Sequence, residues 1–401
     1  MKKKLIIFGF AFLPTLMSFA IGNQPVKPVV FALSVESLEK NKTKIASKDA
    51  LVMDAYKILI KDADKSLQLA PGSVMEKTNM PPSGDKHDYM SLAPYFWPDP
   101  SKPNGMPYMR KDGQTNPEVK DYKDKDYMPK LSDAVYTLSL AYYFSGNPAY
   151  AEHASQLLRV WFLDTATRMN PNLNFAQAIK GSNEGRGAGL IDSRHFIKIV
   201  DAIGLLQGSR SWKKEDQEGM KKWFGDFLNW MQTSKNGMDE MKAGNNHGAW
   251  YDAQRLSMAL FTGNTDLAKK IVANAMDRLD KQMDNEGHFP KEMERTISLH
   301  YTVFVMEAFF DIAQMAETVG VDCWNVTTPS GKSLKKGFDV LRPYITQEKN
   351  WEGQQIKDFE YEESYPLLVE AGQHFNCNDC VQSIKKLSGD KYSRLRLHLL
   401  Y

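Results

Sequence analysis

The chain has 401 residues, which is enough for one large domain or two modest ones. Its 51 Lys and Arg nearly balance its 49 Asp and Glu. This balance argues against general binding to nucleic acid or to a membrane surface, because both need a basic excess. A polyanionic partner would have to meet positive charge that is concentrated locally.

The first twenty residues have the pattern of a secretory signal peptide. Lys2–Lys4 precede an apolar run over Leu5–Met17, and small residues close the segment near position 20. No later segment approaches the roughly 20 apolar residues that span a bilayer, so we expect no membrane insertion. We predict that residues 21–401 form a single domain that is exported to the periplasm or secreted and acts as a monomer.

The three cysteines are Cys323, Cys377 and Cys380. In an exported protein either a Cys377–Cys380 disulfide or a bond from Cys323 to one of them would be structural. A zinc site is not favoured, because no second Cys pair or nearby His pair completes four ligands. We expect no metal and no cofactor.

Helical periodicity dominates the chain from about Lys44 onward. Apolar residues recur at helical spacing through 50–69. Further helices are predicted at 130–145, 149–164, 190–208, 213–233, 248–261, 265–283, 299–318 and 332–346. Short extended segments are predicted near 29–32 and within the long segment 71–129.

The pattern predicts an all-α fold made of helical hairpins packed in sequence. The helix at 299–318 is apolar almost all round, as a helix buried on every side would be. An inner ring of buried helices inside an outer amphipathic ring, an incomplete α/α toroid, explains both features. A helical solenoid is the alternative, although no clear internal repeat supports it.

Residues 71–129 interrupt the helical pattern with many prolines and aromatic residues. A loop this long is uncommon in a compact domain unless it has a function. It could simply cover one end of the helices. It could also line a substrate cleft, where Tyr95 and Trp97 would stack on sugar rings, and the two interpretations are compatible.

Asn246 and His247 precede the apolar periodicity of the helix predicted at 248–261, so we place them at its N-terminus. Asn246 could be a helix cap only, and His247 a surface residue of the first turn. A helix N-terminus disfavours protonation of an imidazole, so His247 could instead act as a neutral base or a hydrogen-bond partner. Trp250 and Tyr251 follow on the same helix as candidate sugar contacts.

Arg295 and Tyr301 lie six residues apart, which on one helix is a rotation of about 240°. Ser298 can cap a helix that begins at the next residue, which would leave Arg295 in the preceding loop and Tyr301 in the first turn. These polar groups beside an apolar inner helix predict a polar cleft. The alternative is an ion pair of Arg295 with Glu292 or Glu294.

A Gly-rich stretch at 181–189 precedes Ser-Arg-His-Phe at 193–196. It is a poor phosphate loop, because no strand precedes it and no Gly-Lys-Ser/Thr follows. We interpret it as a flexible connection that presents a set of polar side chains to substrate, although a plain inter-helix loop fits too. The predicted substrate-binding residues here are Asn183, Arg186, Arg194 and His195. Arg is well suited to binding carboxylates.

Together these motifs resemble the alginate lyase family of polysaccharide lyases over roughly residues 60–370. The resemblance is carried by Asn-Asn-His-Gly-x-Trp at 245–250, the Arg295 to Tyr301 stretch, Ser-Arg-His-Phe at 193–196 and Tyr-Phe-Trp-Pro-Asp at 95–99. It implies an α/α toroid that cleaves a 1,4-linked polyuronate, such as alginate, polymannuronate or glucuronan, by β-elimination.

The resemblance also implies roles for four residues. Asn246 and Arg295 would neutralise the uronate carboxylate, Tyr301 would transfer protons, and His247 would assist at the same centre. If the C5 hydrogen and O4 lie on one face of the sugar, Tyr301 can handle both protons. If they lie on opposite faces, neutral His247 would take the C5 proton and Tyr301 would act as the acid. Either route leaves a 4,5-unsaturated uronate end.

Two other functions remain open from the residues alone. A glycoside hydrolase on a similar toroid would need two carboxylates beside the scissile bond, and the candidates are Asp192, Asp252, Glu292 and Glu294. An exported glycan-binding protein could use the aromatic loop without any catalysis, but it would leave the grouping of Asn, His, Arg and Tyr unexplained.

Overall fold

The computed structural model describes residues 27–401, so the predicted signal peptide lies outside the described residues. Within this range no helix is both long and apolar enough to cross a membrane. Buried apolar side chains form one continuous cluster that extends from Val30 to Leu399.

Fifteen α-helices account for most of residues 27–401. They are α1 (Val35–Ala46), α2 (Ala50–Ser66), α3 (Lys123–Ser145), α4 (Pro148–Leu158), α5 (Phe196–Leu206), α6 (Lys214–Thr233), α7 (Lys235–Met241), α8 (Asn246–Phe261), α9 (Thr265–Gln282), α10 (Pro290–Met293), α11 (Ser298–Glu317), α12 (Leu334–Ile345), α13 (Tyr365–His374), α14 (Cys380–Ser388) and α15 (Leu397–Leu400).

The helices form the predicted α/α toroid. Helix α3 packs against α5, α5 against α8, α8 against α11, and α11 against α13, which makes an inner row. Helices α4, α6, α9 and α12 each pack against an inner helix from outside. The amino- and carboxyl-terminal helices α2 and α15 contact one another and complete the described wall.

The inner helices explain the apolar sequence pattern. Every residue of α5 except Lys198 is buried, and α11 buries apolar side chains from Leu299 to Ala316. Helices α6 and α9 bury one face only. Apolar burial is the main favourable contribution to folding, so helices that are apolar all round are stable only inside the ring.

Helix α3 begins at Lys123, seven residues before the predicted start, and contains Pro129 in its interior. Pro129 is the last residue of the segment 71–129 that is predicted as a loop, and proline lacks the N–H that a helix interior needs. The structure offsets this loss by anchoring the first turn: Asp124 pairs with the buried Lys77 at 3.1 Å, and Lys125 pairs with Asp192.

Four short strands flank the helices. Within 71–129 lie β1 (Met90–Leu92), β2 (Phe96–Trp97) and β3 (Met109–Arg110), and β4 (Phe175–Ala178) follows α4. Strand β1 pairs in parallel with β4, and β2 pairs antiparallel with β3. The extended segments predicted inside the long loop are therefore confirmed.

The segment near 29–32, predicted as extended, forms no strand in the structure, and residues 31–33 are bends. These residues have no strand partner, and the amides of Phe31, Ala32 and Leu33 all donate to the buried carboxylate of Asp201, at 2.7, 3.0 and 2.8 Å. The backbone of residues 31–33 bends around this carboxylate and does not pair with a neighbouring strand.

Of the two disulfide alternatives, the structure contains the Cys377–Cys380 bond, and Cys323 is a buried free thiol. The bond joins the end of α13 to the start of α14. It lies far in sequence from every predicted catalytic residue.

Candidate active site

A cavity of about 1600 Å³ lies between the inner helices of the toroid. Four parts of the chain that are distant in sequence meet in its wall: the loop before α3, the segment before α5, the N-terminal end of α8 and that of α11. The polar and aromatic lining residues include Tyr95, Phe96, Arg110, Arg186, Arg194, His195, Asn246, His247, Trp250, Arg295, His300 and Tyr301.

Asn246 is the first residue of α8 and is held by Glu292 of α10. Its backbone N–H and its side-chain Nδ2 donate to the two oxygens of the Glu292 carboxylate, each at 2.6 Å. Asn246 Oδ1 is buried and has no partner within residues 27–401. Burial raises the pKa of Glu292, and the two bonds from Asn246 act in the opposite direction. Asn246 is therefore more than a cap, since the cap position belongs to Asn245.

His247 follows in the first turn and is held by a second buried carboxylate. Its Nδ1 lies 2.7 Å from Oε1 of Glu240, which ends α7 and is only 3% exposed. Close packing fixes this corner, because a Cβ at Gly248 would lie 2.2 Å from the carbonyl oxygen of Ala243. The imidazole retains partial exposure and lines the cavity.

Arg295 lies in the turn between α10 and α11, as predicted, but its partner is not the neighbouring Glu292 or Glu294. Its Nε and Nη2 donate to the carboxylate of Asp112, with Nη2 at 2.7 Å from Oδ1. Burial of Asp112 alone would raise its pKa, but hydrogen bonds from Arg295 and Thr296 and the charge of Arg295 hold that pKa well below its usual range. The pair joins the long loop to α11.

Tyr301 lies in the first turn of α11, as predicted, although Ser298 is its first residue and not its cap. The Tyr301 hydroxyl donates to the hydroxyl of Tyr95 at 2.8 Å. Burial and the neighbouring Tyr95 raise the pKa of Tyr301 well above its usual value, while the charge of Arg295 opposes them. The phenol is therefore protonated at neutral pH in the unliganded protein.

Arg186 is a half-buried cation without a carboxylate partner among the described residues. Its guanidinium lies 5.1 Å from the centre of the Phe96 ring, and Nη2 donates to Oε1 of Gln177 at 2.8 Å. Gln177 in turn donates to the buried Asp192 at 3.0 Å. Burial lowers the pKa of Arg186. An anion entering the cavity would compensate this charge.

The Gly-rich stretch is closely packed rather than flexible. A Cβ at Gly189 would lie 2.5 Å from the carbonyl oxygen of Ala176, so only glycine allows this approach to β4. Residues 187–195 then form a 3₁₀ helix that leads directly into α5. The predicted helix at 190–208 therefore begins as a different kind of helix.

Arg194 and His195 end this 3₁₀ helix and line the cavity. The Arg194 guanidinium lies 5.4 Å from the centre of the Phe304 ring. Burial, followed by the charges of Arg194 and Lys198, lowers the pKa of His195 to about 2, so its ring is neutral.

Among the other predicted sugar contacts, only Tyr95 and Trp250 line the cavity. The Tyr251 prediction is corrected: its ring is fully buried, and its hydroxyl donates to the Met231 carbonyl at 2.9 Å. The indole N–H of Trp97 donates to the Gln114 carbonyl outside the cavity lining. Asn183 accepts from the Ile179 amide in a tight turn and is likewise not part of the lining.

Sequence reasoning missed the residues that position the site. They are Asp112, Gln177, Glu240 and Glu292, together with the cavity residues Phe96, Arg110 and His300. Only Glu292 had a local signal, because it was considered as a partner of Arg295. The contacts of the other residues join separate segments of the chain, and hydrophobic periodicity does not predict which segments meet.

Comparison with known proteins decides the family. A family model for alginate lyases matches residues 73–351. The crystal structure of an alginate lyase from Bacteroides ovatus is 41% identical, covers 93% of this chain and 99% of its own, and superposes with a TM-score of 0.88. The chain belongs to the alginate lyase family. It is thus a polysaccharide lyase that acts on alginate.

More distant alginate lyases share the fold of this lyase. Alginate lyase A1-III from Sphingomonas species A1 is 16% identical, with 91% of this chain and 94% of that chain covered and a TM-score of 0.57. A variant of that enzyme complexed with a tetrasaccharide is also 16% identical, with 90% and 93% coverage and a TM-score of 0.56. No curated protein sequence matches the chain significantly.

The carboxylates considered for hydrolysis are not available in this lyase. Asp192 is buried against Lys125, Asp252 is paired with Arg278 at 2.7 Å, and Glu292 is occupied by Asn246. Glu294 is exposed and is not part of the cavity lining. Across residues 27–401, no group of three or more His, Cys, Asp or Glu is arranged to hold a metal ion.

Proposed function

We propose that β-elimination takes place in the cavity, where Asn246, His247 and Arg295 surround the uronate carboxylate and Tyr301 protonates the leaving O4. The C5–H bond breaks, its electron pair forms the C4=C5 double bond, and the C4–O4 bond breaks as O4 receives a proton. The observation that carries this proposal is that the Tyr301 hydroxyl and the His247 ring line the same cavity.

Asn246 and Arg295 each retain a donor for the carboxylate, and His247 has a donor at Nε2 when its ring is protonated. Asn246 Nδ2 has a second hydrogen beyond the one given to Glu292, and Asp112 occupies only Nε and Nη2 of Arg295. His247 makes its hydrogen bond through Nδ1, which leaves Nε2 for the substrate. Donors aimed at developing charge are usually the largest catalytic contribution, with each worth about 3 kcal/mol.

The state of Tyr301 supports its role as the proton donor. Its raised pKa keeps it protonated, and its hydroxyl already donates a hydrogen bond into the cavity region, to Tyr95. For a uronate whose C5 hydrogen and O4 share a face, Tyr301 would first lose its proton to solvent, with Arg295 stabilising the phenolate, and would then accept the C5 proton and pass that same proton to O4. For the opposite configuration, His247 Nε2 would accept it.

The choice of substrate distinguishes the route through Tyr301 alone from the route that uses His247 as the base. Mannuronate and guluronate are C5 epimers, so the C5 hydrogen and O4 share a face in one of them and lie on opposite faces in the other. The test follows the ultraviolet absorbance of the new conjugated double bond on polymannuronate, polyguluronate and glucuronan. Tyr301→Phe should reduce turnover by about 10²–10⁴-fold on every polymer that the wild type cleaves, which is the usual size of acid–base catalysis. His247→Ala should reduce turnover most on the polymer in which the C5 hydrogen and O4 lie on opposite faces of the sugar.

Tyr251→Phe is the matched control. It also removes one buried phenol oxygen, but this oxygen bonds to the Met231 carbonyl inside the core. We expect a loss of about 1 kcal/mol in unfolding free energy and nearly normal turnover. Normal turnover in Tyr301→Phe would disprove the assignment of the proton donor.

We also propose that the lyase is exported, to the periplasm or beyond, and acts as a monomer. The disulfide of the described chain supports an oxidising compartment, where such bonds persist. Mass spectrometry of the mature amino terminus and size-exclusion chromatography test these two points. An intact segment 1–20 in the purified native protein would contradict export through a cleaved signal peptide.

A further inference from the structure

His247 and Glu240 form a buried pair whose polarity is fixed. The carboxylate of Glu240 is 3% exposed and lies 2.7 Å from Nδ1 of His247. An ionised carboxylate only accepts hydrogen bonds. Nδ1 must therefore carry the hydrogen, whether the imidazole is neutral or protonated.

The position of the pair is set by packing between three elements. Glu240 lies in the last turn of α7, and α7 packs against both α8 and the 3₁₀ helix at 187–195. The amide of Ala243 donates to the Glu240 carbonyl at 2.9 Å, which holds the turn between α7 and α8. This packing restricts movement of the Glu240 side chain away from His247 when substrate binds.

Fixing Nδ1 as the donor determines what Nε2 does in the cavity. In neutral His247 the unprotonated nitrogen is Nε2, which can accept the C5 proton. If His247 is protonated next to an anionic sugar, Nε2–H donates to the uronate carboxylate and Glu240 stabilises the imidazolium from the other side. The opposite neutral tautomer carries its hydrogen on Nε2 and therefore could not accept the C5 proton there.

We propose that Glu240 is a positioning residue that keeps the proton of His247 on Nδ1 and leaves Nε2 facing the substrate. This inference rests on the proposed function, in which His247 acts on the uronate. It assigns to Glu240 no contact with the substrate. Glu240 also lies near enough for its charge to favour the cationic form of Arg186, so a purely electrostatic effect on Arg186 is the rival explanation.

The first test is ¹⁵N NMR of the histidine rings in the free wild-type enzyme, at a pH where His247 is neutral. A His247→Gln variant assigns the signals. We expect His247 to be protonated on Nδ1, with the shift of an unprotonated nitrogen at Nε2. Predominant protonation on Nε2 would overturn the inference, and this measurement requires no activity and no mutation of Glu240.

The second test is Glu240→Gln, whose amide can donate to Nδ1 and so favour the Nε2–H form. We expect the tautomer signals of His247 to shift towards Nε2–H and kcat to fall at least about tenfold, as when a carboxylate that orients a catalytic His is made an amide. KM should change little. A rise in KM with unchanged kcat and tautomer would instead support the effect on Arg186 and overturn the inference.

Asp239→Asn is the matched control on the same helix, because Asp239 pairs only with the exposed Lys235. It should leave kcat, KM and the His247 signals unchanged. The two levels of the argument can fail separately. If Tyr301→Phe keeps full turnover while His247 is still protonated on Nδ1, the proposed function fails and the assignment of Glu240 as the tautomer-setting residue stands.

Discussion

The guanidinium of Arg295 lies 3.6 Å from the centre of the Tyr301 ring. This contact places a positive charge on the face of the phenol that is proposed to transfer protons. Asp112 holds the guanidinium in this place from the opposite side. A residue of the long loop therefore controls the electrostatics of a residue on the inner helix α11.

Asp112→Asn should reduce kcat/KM by about 10–100-fold. The change removes the charge that orients Arg295, and hydrogen bonds to charged groups contribute about 1.5–3 kcal/mol. Initial rates of ultraviolet absorbance on alginate measure the effect. Asp339→Asn, which breaks only the exposed pair with Lys335, should have no effect. Equal kcat/KM in the two variants would show that Asp112 does not act through Arg295.

Tyr95→Phe should lower kcat by roughly 2–15-fold with little change in KM. The substitution keeps the aromatic wall and removes only the hydroxyl that accepts from Tyr301, and a neutral hydrogen bond contributes about 0.5–1.5 kcal/mol. Tyr95→Ala should in addition raise KM, because the ring is lost as well. Full kcat in Tyr95→Phe would contradict a catalytic contribution from the hydrogen bond between Tyr301 and Tyr95.

Arg186→Gln should raise KM about tenfold or more and affect kcat less. The guanidinium has no carboxylate partner among residues 27–401, so an anionic sugar is free to pair with it. The wild-type KM should also rise with salt, and this dependence should be weaker in the variant. Steady-state kinetics at two ionic strengths measure both. Lys214→Gln, at an exposed surface pair, is the control.

Four carboxyl groups inside the toroid make the stability of the fold depend on pH. Burial raises the pKa of Asp201 and Asp311 to about 7 and that of Glu307 and Glu370 to about 8. Folded pKa values above the unfolded values mean that the folded state holds more protons between about pH 4 and 8. The contribution of these groups to stability is therefore lost as the pH rises through this window.

Asp311→Asn tests this directly, because Asp311 raises the pKa of the other three groups. At pH 5 the variant and the wild type should melt at similar temperatures. The Tm of the variant relative to the wild type should then increase towards pH 9, since only the wild type has an ionising group at position 311. Melting followed by circular dichroism checks it, and a difference in Tm that does not change with pH would contradict the prediction.

Local sequence signals predicted where the proposed catalytic residues lie relative to their helices. Asn246 is the first residue of α8 and Tyr301 lies in the first turn of α11, and the apolar periodicity of each helix let these places be predicted. The ring architecture followed from helices that are apolar all round. Helix α1 was missed because Lys and Glu dominate it, and its single buried apolar residue, Leu38, is no periodic pattern.

The partners of the catalytic residues could not be predicted, because they depend on which chain segments meet in space. Arg295 pairs with Asp112, 183 positions away, although two glutamates lie next to it. Tyr301 bonds to Tyr95 across 206 positions. Tyr251 looked like a sugar contact from its place beside Trp250, but adjacent helix residues point in different directions, and its ring enters the core.

The three amides that Asp201 collects from residues 31–33 set a limit on how far the amino-terminal region can be shortened. Removal of a leader near position 20 leaves these amides in place. Above about pH 7, where Asp201 is ionised, trimming through Leu33 would leave a buried carboxylate with none of the three backbone donors, at about 1.5–3 kcal/mol for each lost bond to a charged group. Proteolytic cleavage or a designed truncation therefore has to end before Phe31 if the toroid is to keep these three bonds.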